Sequence, residues 1–135
     1  MGNIRSGYWF WLLLPAVVIG LACFFLFARY RIEKEITVQC AYMGYACGDC
    51  TPQYQVRNVL SPPAERLSGK DIDIEFISET QEQAFEQQVG VCAICYVYTL
   101  KGDVYYSFRK KRYFIRLSDF RLKLRSKDCC SNRLK

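Results

Sequence analysis

Residues 71–100 read DIDIEFISETQEQAFEQQVGVCAICYVYTL, and the fold turns on how this stretch divides. Asp71 to Phe76 alternates with period two. Ile72, Ile74 and Phe76 share one face and Asp71, Asp73 and Glu75 the other, which predicts a half-buried strand. Three carboxylates on one strand face could gather a cation; a solvated strand face is the simpler reading. From Ser78 to Val89 the pattern becomes helical. Ser78 is suited to cap the helix, Gln81 to complete a capping box and Gly90 to end it. Phe85 and Val89 stand four apart and would face the core. Val91 to Leu100 is apolar on both faces, which predicts a central strand.

Toward the N-terminus, Ile36 to Tyr42 is rich in β-branched and aromatic residues and reads as a strand. Gly44 to Pro52 (GYACGDCTP) is loop chemistry. Gln53 to Leu60 alternates again, with Tyr54 and Val56 on one face. Toward the C-terminus, Lys101-Gly102-Asp103 is a tight-turn signal that predicts a hairpin into Val104–Phe108. Arg109 to Arg112 is a basic turn, followed by strands Tyr113–Leu117 and Phe120–Arg125.

The predicted order is three strands, a short helix, a hairpin and further strands. The five-stranded OB barrel has this order of elements. The expected fold class is therefore mainly β (α+β): an N-terminal transmembrane helix followed by a small antiparallel β-barrel, OB-like, with one short helix. A plain antiparallel sheet with one helix is the alternative.

The transmembrane element is expected at residues 8–28. Tyr8 to Ala28 carries no charge, and about 20 apolar residues cross a hydrocarbon core of about 30 Å. Tyr8, Trp9 and Trp11 at one end and Tyr30 at the other suit the headgroup level. Pro15 would kink this helix without breaking it. Gly20-Leu21-Ala22 resembles a signal-peptidase site, but the apolar run continues through Phe27, so retention is the favoured reading. A lipobox at Cys23 and N-myristoylation at Gly2 are weaker alternatives. The chain then divides into a flank (1–7), the anchor (8–28), a charged stem (29–35), a β-rich soluble domain (36–128) and a tail (129–135). About 105 residues beyond the anchor can bury one modest core.

Eight cysteines are many for 135 residues, and histidine is absent. That removes the commonest general base and the commonest nitrogen ligand for zinc. Cys23 lies in the anchor, leaving Cys40, Cys47, Cys50, Cys92, Cys95, Cys129 and Cys130. Structural disulfides are the preferred reading, since a small domain gains most from them. A zinc site at Cys47, Cys50, Cys92 and Cys95 is the alternative. Redox catalysis at Cys47 and Cys50 lacks an activating helix N-terminus. No other cofactor is implied.

Net charge is +6, and it is segregated. Residues 71–103 hold seven acids and one base, whereas residues 109–135 hold eleven bases and two acids. Pairing of the two within the domain is the simple reading. The sharper one is a partner surface of Arg109, Lys110, Lys111, Arg112, Arg121, Lys123 and Arg125.

No nucleophile motif, phosphate loop or small-molecule site is evident, and no catalytic residue is assigned. The expected function is non-enzymatic: a membrane-anchored binding or accessory domain of the cell envelope, acting on a protein partner. Lys/Arg counting at the anchor (Arg5 against Arg29, Arg31 and Lys34) leans toward a cytoplasmic domain. Cysteine content leans to the oxidising, periplasmic or extracellular side, and is given more weight. A nucleic-acid-binding OB domain on the cytoplasmic side is a further alternative, with bases stacking on the aromatics near Arg109–Arg112.

Overall fold

The structure, a computed structural model, describes residues 6–44, 53–61, 64–90, 92–126 and 129, with side chains from Trp11 onward. Two α-helices and five strands form among these residues. They are α1 (Ser6–Phe27), β1 (Arg29–Met43), β2 (Gln53–Val59), β3 (Asp71–Glu75), α2 (Glu79–Val89), β4 (Tyr96–Ser107) and β5 (Arg112–Leu124). The strands hydrogen-bond in the order β1-β2-β3-β5-β4, and β4 pairs back onto β1 to close the ring. Four of the pairings are antiparallel. The β3–β5 pairing is parallel, with Ile72 opposite Tyr113 and Glu75 opposite Arg116. The expectation of a purely antiparallel sheet is corrected there. A parallel neighbour requires a crossover, and α2 and β4 supply it.

Alternation fills the ring. Val38, Val56, Ile72, Tyr98, Leu100, Val104, Ile115 and Leu117 are buried because every second side chain of each strand points inward. α2 closes one end. Ser78 Oγ accepts the Gln81 N–H at 3.2 Å, and Gln81 Oε1 accepts the Ile77 N–H at 3.0 Å. Gly90, at φ +52°, ends the helix with its N–H on the Glu86 carbonyl. Gln81 Nε2 donates to the Leu117 carbonyl at 3.1 Å, which ties α2 to β5. The buried Phe85 meets Tyr54, Phe76, Tyr98 and Phe120 with ring centroids 5.1–6.3 Å apart.

Three expectations fail around one feature. Lys101-Gly102-Asp103 is no turn, since β4 runs straight through it. Residues 113–117 and 120–125 are not two strands, since β5 is continuous from Arg112 to Leu124. Residues 29–35 are not a stem that prolongs the helix but the first half of β1. All three strands carry irregularities here. The β4–β5 register shifts at Lys101/Gly102, and the β1–β4 register shifts twice between Arg31 and Ile36. Glu35 takes φ +47°, and its N–H donates to Asp103 Oδ1 at 2.9 Å. A bulge bends a strand and increases its twist, so this is where the sheet curls enough to close. Gly102 makes the bend sterically feasible. A Cβ there would collide with the carbonyl oxygen of Arg116. Glycine inside a strand marks such a close approach as readily as it marks a turn. Val91–Leu100 is also shorter as a strand than expected: residues Ala93–Cys95 form a 3₁₀ turn and β4 begins at Tyr96.

α1 forms where the anchor was expected, 22 residues long with Pro15 inside it. Among the described residues, however, no helix is long and apolar enough to cross a membrane. The described side chains of α1 run from Trp11 to Phe27, seventeen residues. The large apolar side chains from Trp11 to Phe27 are 53–81% exposed.

Candidate partner-binding surface

The proposed basic surface is brought together only in part. β5 carries Arg112 at its start and Arg121 and Lys123 near its end. The nine-residue separation is about 30 Å along a strand. Arg109, Lys110 and Lys111 form the turn between β4 and β5, beside the end of α1. There Arg109 lies over the Phe27 ring at 4.9 Å and Lys110 over the Phe114 ring at 5.2 Å. Arg112 approaches Asp73 at 3.6 Å. Arg121, Lys123 and Arg125 are exposed at the opposite end, and none forms an ion pair among the described residues.

The acidic and basic segments do pair within the domain. Parallel pairing sets Asp73 and Glu75 of β3 beside Phe114 and Arg116 of β5. Glu75 is reached by Arg29 at 2.8 Å and Arg116 at 3.8 Å. These pairs are partly exposed and worth little individually, but they engage two of the three strand carboxylates, Asp73 and Glu75. No group of three metal-ligating side chains gathers among the described residues.

A groove that the sequence reading missed lies between α2 and β3. It has a volume of about 680 Å³. Tyr54, Ile74, Phe76, Phe85, Val89 and Phe114 line it together with Asp73, Glu82 and Glu86. Glu82 and Glu86 are four apart on α2, so they share a face. Neither forms an ion pair among the described residues. The signal was present in the sequence: Glu82 and Glu86 flank Phe85. What the sequence could not supply is the partner face of β3. Burial, and after it the neighbouring Tyr42, Cys40 and Glu86, push the Tyr54 phenol up to about 12. Burial likewise pushes the Tyr98 phenol up, and its hydroxyl donates to the Ala93 carbonyl at 2.6 Å.

The cysteines divide. Cys95 is bonded to Cys129, with Cα atoms 5.7 Å apart, and Cys92 is disulfide-bonded too. A disulfide sulfur is no thiolate ligand, so a four-thiolate site including Cys92 and Cys95 would need the reduced protein. Cys40 is a free, buried thiol, which burial pushes up to about 12. It is inert packing rather than a nucleophile. Cys23 is free and exposed on α1. Cys47, Cys50 and Cys130 lie outside the described residues.

No family model, no curated protein and no solved structure matches this chain. The functional reading therefore rests on its own residues.

Proposed function

We propose that the chain is a membrane-anchored, non-enzymatic binding domain that holds a protein partner at the membrane surface. The observation that carries this reading is α1. It has no charge over its 22 residues, and its large apolar side chains from Trp11 to Phe27 are exposed. A helix that is hydrophobic all round belongs in a core or in a bilayer. The described side chains fall short of a span, but the helical backbone begins five uncharged residues before them, at Ser6. The whole helix is about 33 Å long at 1.5 Å per residue, which suits a bilayer core. Only Ala28 separates it from β1, so the ring sits at the headgroups.

The closed ring reads as an OB-like barrel. Its strand order, its single parallel pair and its helix between β3 and β4 support this. The disulfides support a domain on the oxidising side. The groove beside α2 is the place for the partner. Its apolar floor and its unpaired Glu82 and Glu86 suit a segment with apolar side chains and a lysine or arginine.

Detergent phase partitioning of the full chain tests the anchor. Recovery in the detergent phase is expected, and recovery in the aqueous phase overturns it. Binding of an apolar peptide carrying two lysines, compared with its glutamate counterpart, tests the groove. The lysine peptide should bind, and Glu82→Lys with Glu86→Lys should reverse the preference. Equal binding of both peptides removes the groove from the reading.

A further inference from the structure

A second cavity lies at the other end of the ring, where α1 meets it. Its volume is about 440 Å³, and Phe25, Leu26, Tyr30, Ile32, Tyr106 and Phe108 line it with no polar surface. Phe108 is exposed and stacks edge-on against both Tyr30 and Tyr106, at 5.3 and 5.1 Å between centroids. The next residues in the chain are Arg109, Lys110 and Lys111, all exposed. Arg109 is held against α1 through the Phe27 ring. Lys111 takes φ +50°, so the chain turns sharply just after the cleft.

An apolar cleft with three adjacent cations calls for one amphiphilic anion. We propose that this cleft is a binding site for a single anionic phospholipid, with an acyl chain against Tyr30, Ile32 and Phe108 and the phosphate among Arg109, Lys110 and Lys111. The inference rests on α1 lying in lipid, because only then does the cleft open at headgroup depth. The cations then meet the phosphate at short range, where each contributes to holding an anionic lipid. The apolar face comes from α1, β1 and β4, and the cations come from the turn between β4 and β5.

The experiment uses the full chain in nanodiscs of equal parts dioleoyl phosphatidylglycerol and dioleoyl phosphatidylcholine, released for native mass spectrometry. The expected result is one retained phosphatidylglycerol per chain. Arg109→Gln with Lys110→Gln should weaken its retention roughly thirtyfold. Phe108→Ser, which changes no charge and lies on the surface, should also weaken it. Equal retention of both lipids by a chain that has entered the discs overturns the lipid site and leaves the anchor standing. A chain that fails to enter the discs overturns both.

Discussion

The two helices leave the ring at opposite ends of β4 and answer opposite demands. α2 is amphipathic. It turns Phe85 into the ring, sets Glu82 and Glu86 at its outer face, and is capped at both ends by its own sequence. α1 meets the ring only at its last turn, and its large apolar side chains from Trp11 to Phe27 are exposed. One helix is stabilised by the ring that it closes. The other is left uncovered by the ring over most of its length, and the proposed function places it in lipid. Ring stability should therefore depend on α2 and the strands and hardly at all on α1.

The largest expected effect is at the bend that separates the two ends. Gly102→Val would drive side-chain carbon into the Arg116 carbonyl, a backbone group that no rotamer change can move aside. A loss of about 5 kcal/mol is expected, which is as much as the whole stability of many domains. Circular dichroism of the variant should show no cooperative unfolding. A folded, cooperative variant would mean that the bend at β4 is not needed for closure.

Phe85→Ala tests the α2 end. It removes a buried ring that four other aromatic residues surround, at a cost of about 4 kcal/mol. Urea denaturation should show a lower midpoint, and α2 amides should exchange faster than those of β4. Cys129→Ser comes next. The Cys95–Cys129 bridge closes a loop of 34 residues, and opening it should cost about 3 kcal/mol. The drop should vanish in reductant, where the unmodified protein has lost the bridge as well.

How much of this was legible follows from where the information lies. α2 could be read to within a residue, because Ser78, Gln81 and Gly90 are local signals that act through their own backbone. The inward faces of β2 and β3 were legible for the same reason, since alternation at Tyr54, Val56, Ile72 and Ile74 needs no knowledge of neighbours. The bend was not legible. Gly102 is demanded by the approach of Arg116, fourteen residues away, and a glycine beside an aspartate has the same local appearance as a turn. Arg29–Glu35 misled by its charges, which suit a solvated stem. In the ring Arg29 and Glu33 face charges of other elements, Glu75 and Arg66. The groove was out of reach because its two walls, α2 and β3, are set together by the ring and not by spacing.

Alkaline pH should weaken the α2 end by a smaller amount. The Tyr54 phenol, ordinarily near 10.0, and the Cys40 thiol, ordinarily near 9.0, are both pushed up to about 12 by burial. Each folded value lies above the unfolded one, so the unfolded chain releases its protons first as pH rises. Stability from these groups is complete below pH 9 and falls progressively toward pH 12. Between pH 9 and 10.5 the two together should lose about 2 kcal/mol. Urea midpoints across that interval measure it. With Cys40→Ala the fall should begin one unit later, where Tyr54 takes over.

The smallest effect should come from α1, and it sharpens the comparison most. Ile19→Ala removes as much apolar surface as many core truncations do. Ile19 is 63% exposed, however, and stands away from the ring. A side chain that gains no contact on folding leaves no cavity when it is shortened, so the ring should unfold at the same urea concentration within about 0.5 kcal/mol. The same variant should shift partitioning measurably toward water, because each methylene withdrawn from lipid weakens insertion by about 0.8 kcal/mol. An unchanged ring with altered partitioning means that α1 is stabilised by its surroundings alone. A ring weakened as far as by Phe85→Ala would mean that α1 folds back onto the strands, and the contrast between the two helices would be lost.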